Sequence, residues 1–217
     1  FAHYRPKIKC FNKAELIVIG SLLPNTPSDF SGIILGAGSD NRQRRFENAT
    51  ILAVRGKLTQ ENLGLMNTDL IVGDPGLLVS YVYPKSPKKE WQLGIVPHFV
   101  DKRDSIIQKW QRNFGEKAKV IDVQRHPAIV IEEIKKCNII ISSSLHGLVI
   151  ADAFNIPNVR FAIRKNIPEY RDHKYKDYYS AFGMKLETVE ATGQEDLQYL
   201  VSKATSKQEV VLPVKLR

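Results

Sequence analysis

Between residues 16 and 72 four short, unbroken apolar runs follow one another, and each stops on a glycine or a polar turn. Leu16-Ile17-Val18-Ile19 meets Gly20, and Gly32-Ile33-Ile34-Leu35 meets Gly36-Ala37-Gly38. Ile51-Leu52-Ala53-Val54 meets Arg55-Gly56, and Leu70-Ile71-Val72 meets Gly73-Asp74-Pro75-Gly76. A strand with one wet face alternates apolar and polar side chains, whereas a strand covered on both faces has no need to. The runs therefore predict buried strands of a parallel sheet, with helices or loops as crossovers.

The segment Tyr81-Val82-Tyr83-Pro84-Lys85-Ser86-Pro87-Lys88-Lys89 breaks this pattern and reads as a linker. A second series follows. Strands are expected over residues 91–96, 119–123, 138–141 and 158–161. Helices are expected over 101–114, where apolar residues fall at 106, 107, 110 and 114, over 127–136, which opens on Pro127, and over 145–154. Strands alternating with helices of this length mean βαβ units. The predicted architecture is α/β with two Rossmann-like lobes: residues 1–84, residues 85–182, and a C-terminal helix with a basic tail over 183–217.

In open α/β sheets ligands sit at the carboxyl ends of strands, which directs attention to the residues just after each run. The strongest signal is Ile139-Ile140-Ile141-Ser142-Ser143-Ser144-Leu145-His146-Gly147. A buried strand there delivers three serines to a helix start, where hydroxyls and backbone amides can receive an anion. His146 lies in the first helical turn, placed to donate to a phosphate or to act as a general acid. Gly147 permits close backbone approach. An isolated histidine would read as structural; the strand end and the triple serine favour a functional one. Arg55 follows a strand in the other lobe, where its guanidinium could bind a carboxylate or phosphate bidentately and face His146 across a cleft. His98 and His126, the latter beside Arg125, follow strands of the second series. Gly36 and Gly38 could cradle a phosphate, although their spacing is not that of a dinucleotide fingerprint.

The net charge is +9, from 32 Lys+Arg against 23 Asp+Glu. Such a balance suits nucleic acid, a membrane surface or small anions. No helix-turn-helix, zinc-finger or RNA-recognition pattern accompanies it, so nucleic acid is not an expected partner. Residues 160–176 hold six Lys/Arg against two acids, interleaved with tyrosines, and could contact phosphate or a lipid head group. Two cysteines, Cys10 and Cys137, exclude a disulfide scaffold, and no metal-ligand spacing is present. No apolar run approaches the roughly 20 residues of a membrane span, and the polar start Phe1–Lys7 is not a signal peptide. A cytoplasmic protein is expected.

Taken in order, Gly36-Ala37-Gly38-Ser39, Val54-Arg55-Gly56, Gly73-Asp74-Pro75, Pro97-His98, Ser142–Gly147 with Ala151-Asp152-Ala153-Phe154 and Ile156-Pro157, and Lys174-Tyr175-Lys176-Asp177-Tyr178 resemble the polysaccharide pyruvyl transferase family. The nearest flavour is that of the bacterial exopolysaccharide ketal-pyruvate transferases. The resemblance implies a fold like the two-lobed glycosyltransferase B type. It implies phosphoenolpyruvate as co-substrate, with no further cofactor, and a glycan or lipid-linked oligosaccharide as acceptor, with peripheral contact at the inner membrane face. It places Arg55 and His146 on the family's donor-site Arg and His, with Ser142, Ser143, Ser144, Gly147, Gly36, Gly38, His98 and Lys174 as further donor contacts. Two features depart from the family pattern. Ser144 stands where many members carry Arg, so that Arg125, Arg164 or Lys174 would have to supply the charge, and the family's opening Asn-x-Gly-Asp segment is missing, which implies a shortened first lobe. The alternatives are a nucleotide-sugar glycosyltransferase of the same architecture and a non-catalytic member that keeps an anion pocket.

Overall fold

A computed structural model describes residues 14–163 and 170–205. They divide into two compact units. One takes residues 14–77 and 170–186, the other residues 78–163 and 187–205.

In the first unit, β1 (Leu16–Ile17), β2 (Ile33–Leu35), β3 (Thr50–Val54) and β4 (Ile71–Val72) form a four-stranded parallel sheet in the order β1-β2-β3-β4. The crossovers are poor in helix. A 3₁₀ turn at Leu23–Asn25 and an irregular segment serve as the first two crossovers, because Pro24 and Pro27 deny backbone donors and residues 39–45 offer no apolar stripe. After β3 comes α1 (Lys57–Asn62). Ile17, Leu23, Phe30, Ile34, Phe46, Val54 and Leu63 make the core. Against α1 packs α6 (Tyr170–Ser180).

The second unit begins with α2 (Val79–Val82), whose last two residues overlap the start of the stretch expected to be a linker, and continues through β5 (Trp91–Val96), α3 (Ser105–Phe114), β6 (Ala118–Val120), α4 (Pro127–Lys135), β7 (Cys137–Ser142), α5 (Leu145–Ala153) and β8 (Asn158–Ile163). It closes with β9 (Thr188–Ala191) and α7 (Leu197–Lys203). The five strands are parallel, in the order β6-β5-β7-β8-β9. Both sheet faces are covered, which is why β5 and β7 read as continuous apolar runs. On one face Ile107, Trp110 and Phe114 of α3 and Leu200 of α7 meet Leu93, Ile95, Ile141 and Phe161. On the other, Val130, Ile131 and Ile134 of α4 and Ile150 and Ala151 of α5 meet Val96, Cys137 and Ile140. Cys137 is fully buried, and burial pushes its thiol up to about 12; Cys10 lies outside the described residues.

The units do not follow the expected boundaries at 84/85 and 182/183. Residues 170–180, expected in the second lobe, fold with the first unit, and residues 187–205, expected as an appended helix and tail, complete the second. The reason is pairing. Thr188–Ala191 lie in register beside Arg160–Ile163 as the sheet's outer strand, and Trp110 Nε1 donates to Glu195 at 3.1 Å, fixing the approach to α7. The basic stretch 160–176 is divided between the two units. Arg160 is buried in β8 and Lys176 is exposed on α6, while residues 164–169, with Arg164, and the basic tail lie outside the described residues.

Candidate functional site

In the second unit the chain leaves β5 toward β6 on one side, then crosses back to β7 on the other side of β5. The connections from the carboxyl ends of β5 and β7 thus run apart, and such a switch point opens a crevice. Here it is a cavity of about 320 Å³. Val96, Val123, Val130, Ile134 and Ile150 form its apolar walls, and His98, Phe99, Gln124, Ser144, His146 and Gly147 also line it. Among the described residues no lysine or arginine lines the cavity.

The three serines divide their work. Ser142 is fully buried; its hydroxyl lies 2.8 Å from the carbonyl oxygens of both Val96 and Ser144 and accepts the Ser144 N–H at 3.0 Å. It is a strut that sets the strand-to-helix turn. Ser143 Oγ accepts the His98 N–H at 2.9 Å and donates to the Asp101 carboxylate at 2.6 Å. Ser144 is the N-cap of α5, makes no side-chain capping bond to the helix, and lines the cavity at 9% exposure. A helix of nine residues thus opens on the cavity with Ser144 and first-turn amides at its positive end. Gly147 is required by packing, since a Cβ there would overlap Ser142 Oγ and press on Val96. His146, half-buried, lines the cavity with His98, whose ring lies 4.4 Å from that of Phe99. His126 and Arg125 do not line it; His126 is the N-cap of α4 without a side-chain bond, and Arg125 pairs with Glu133.

The remaining expected residues lie in the first unit. Arg55 is fully buried, and its guanidinium is surrounded. Nε and Nη2 both donate to Asp177 Oδ2 at 2.9 Å, Nη1 donates to Ser21 Oγ at 2.7 Å, and Nη2 also reaches the Ser39 carbonyl at 3.3 Å. The same carboxylate accepts the Thr59 N–H and hydroxyl, each at 2.7 Å. Gly38 lies under the guanidinium and Gly56 against the Asp177 backbone, and a Cβ at either would overlap its neighbour. Gly36, at φ +91°, packs on Pro75. Lys174 of α6 lies with its ammonium 5.0 Å from the Tyr175 ring. The structure thus gathers Ser142, Ser143, Ser144, His146, Gly147 and His98 in one unit, and Gly36, Gly38, Arg55 and Lys174 in the other, where Arg55 is held within the interior.

Sequence reasoning quoted Asp177 only within a motif, without a role, and missed Thr59 and Asp101. A buried arginine demands an acceptor-rich neighbourhood, but nothing local to Arg55 names a partner 122 positions away. His173, one turn before Asp177, is half-buried, with Nε2 3.5 Å from Asn62 Nδ2. Burial lowers its pKa below the ordinary 6.5; Asp177 and Asp40 oppose that shift, and Arg55 and Lys176 add to it. On acidification the unfolded chain therefore takes the proton first, so the stability due to neutral His173 is full above pH 6.5 and is lost as pH falls. The first unit should melt earlier at about pH 5 than at pH 7, and His173→Gln should flatten that dependence. Identical pH slopes for the two proteins, followed by circular dichroism, would refute the assignment.

Among the described residues no group of three or more His, Cys, Asp or Glu is arranged to hold a metal ion, and no helix is long and apolar enough to cross a membrane.

Comparison with known proteins accords with the motif pattern. The family model for polysaccharide pyruvyl transferase matches residues 3–165. An uncharacterised protein of Acanthamoeba polyphaga mimivirus is 32% identical over 181 residues, an alignment covering 77% of this chain and 60% of the relative, so the chain spans about 60% of that protein's length. With three quarters of its residues under the family model, the chain belongs to the polysaccharide pyruvyl transferase family.

Proposed function

We propose that the protein transfers pyruvate from phosphoenolpyruvate to a pair of hydroxyls on a glycan acceptor, forming a cyclic ketal. The observation that carries this reading is the convergence, at the switch point of the second sheet, of the α5 N-terminus with Ser144, His146 and His98 on one cavity. The first-turn amides and Ser144 suit the phosphate. His146 delivers a proton to the methylene carbon of phosphoenolpyruvate as one sugar hydroxyl adds to the central carbon and gives up its proton to a base, for which His98 is placed. The phosphate then leaves with its bridging oxygen as the second hydroxyl, losing its own proton, closes the ketal. Arg55 is assigned to holding Asp177 and α6 in place. The two parallel-sheet units suit the glycosyltransferase B type of architecture.

The apolar walls and the lack of a cationic side chain among the described residues of the cavity favour one competitor, a nucleotide-sugar glycosyltransferase. Phosphate release from phosphoenolpyruvate over a panel of synthetic and lipid-linked glycosides, together with thermal protection by phosphoenolpyruvate against that by UDP- and GDP-sugars, separates them. Release with at least one glycoside and protection by phosphoenolpyruvate are expected. Protection by nucleotide sugars alone would transfer the site to glycosyl transfer, and binding of phosphoenolpyruvate without release on any acceptor would make the chain a non-catalytic anion binder.

A further inference from the structure

We propose that Asp101 is a positioning residue of the second-unit cavity, holding His98 in place through Ser143; this rests on the reading of that cavity as the reaction site. Asp101 governs both backbone polar groups of His98. Its own N–H donates to the His98 carbonyl at 2.8 Å. Its carboxylate accepts from Ser143 Oγ at 2.6 Å, and Ser143 Oγ accepts the His98 N–H at 2.9 Å. The bonds close a ring around one residue, and the short hydroxyl–carboxylate contact belongs to the stronger, charge-assisted class.

The ring is anchored on both sides. The Ser143 N–H donates to Val96 at 3.2 Å, binding the ring to the end of β5. The Asp104 N–H donates to the Asp101 carbonyl at 2.9 Å, and the Asp104 carboxylate caps α3 at the Ile106 N–H, also at 2.9 Å. Next to Asp101, Lys102 Nζ lies 3.1 Å from Asp122, whose other oxygen accepts the Gln124 N–H at 2.9 Å. Asp101 and Lys102 therefore tie together the loops that follow β5, β6 and β7, the three that border the cavity. Residues 97–104 contain no strand or helix of their own, and without these ties such a segment would sample many positions. Asp101 itself does not line the cavity, so its influence on the reaction passes through Ser143 and His98.

The test uses Asp101→Ala, Asp101→Asn and Ser143→Ala in the full chain, with hydrogen exchange of the His98 amide and separate kcat and KM values as readouts. Asp101→Ala should speed His98 exchange by about tenfold or more, as expected for loss of a charge-assisted bond. It should lower kcat by about 100-fold, the scale of an ångström-level misplacement, with a much smaller change in KM. Asp101→Asn, which keeps an oxygen acceptor, should recover most of both, and Ser143→Ala should reproduce the exchange effect. Unchanged His98 exchange in Asp101→Ala overturns the inference. So does faster exchange with an unchanged kcat, since Asp101 would then be structural only. If the parent chain turns over no phosphoenolpyruvate, the proposed function falls, and the exchange readout alone decides whether Asp101 positions His98.

Discussion

Asp177→Ala should lower the thermal midpoint of the protein by roughly 6–20 °C. The figure combines a cost of about 3–5 kcal/mol for orphaning a buried charge with a shift of about 2–4 °C per kcal/mol for a chain of this size. Asp177 and Arg55 both have fully buried side chains, so solvent cannot take over when one partner is removed. The truncation deletes the acceptor of Arg55 Nε and Nη2 and of both Thr59 donors, leaving the guanidinium with Ser21 and the Ser39 carbonyl. It also weakens the hold of α6 on the start of α1, leaving the Lys57 N–H bond to Ser180 Oγ at 2.8 Å and the packing of Gly56 on the Asp177 backbone. Asp177→Asn, which can still accept from the Thr59 N–H, should fall between parent and Ala variant. A paired replacement, Arg55→Met with Asp177→Leu, should recover much of the loss, because a buried ion pair has little net advantage over apolar packing of similar volume. A midpoint within one or two degrees of the parent in Asp177→Ala would show that the pair does not hold α6 in solution.

This network also shows where sequence reading stops. In the second sheet β5 and β7 were legible because burial on two faces leaves an unbroken apolar run, as in Ile139-Ile140-Ile141. In the first sheet the runs marked the strands, but Leu16, Ile33, Leu52 and Ile71 are exposed, so the burial on both faces expected there is not found. β9 was not legible, since at the sheet edge Thr188-Val189-Glu190-Ala191 buries alternate side chains only and carries a charge on the open face. Arg55 was legible as a residue at a strand end, the usual place of ligand contacts, but its burial and its partner are properties of tertiary packing. The family motifs containing Arg55, Gly38 and Asp177 converge on one buried cluster in the first unit, so part of what reads as a binding signature is the packing of a helix against a sheet. The serine run shows the converse. Three identical residues looked equivalent, and the turn after β7 makes two of them struts and sets the third in the cavity lining.

His146→Ala should reduce pyruvyl transfer by about 10²–10⁴-fold, the range for removal of a general acid, while leaving the thermal midpoint near that of the parent. The separation of the two effects follows from where His146 lies. The rest of α5 through Asp152 is buried: Leu145, Leu148, Val149 and Ala151 hold the helix in the unit, and Gly147 packs on Ser142. His146 is the one residue in that run that is not fully buried, and it lines the cavity, so its truncation enlarges an existing space without emptying the core. His98→Ala removes the second imidazole at the same cavity from a different loop, and if His98 serves as the base its loss should fall mainly on kcat as well. If His146 protonates the methylene carbon, its variant should retain phosphoenolpyruvate binding, measured by calorimetry, because Ser144 and the first-turn amides of α5 are untouched. Lost turnover with retained binding is the expected pair of results. Turnover close to the parent's would remove His146 from the chemistry, and loss of binding in step with turnover would make it an anion ligand, with the proton delivered by another group.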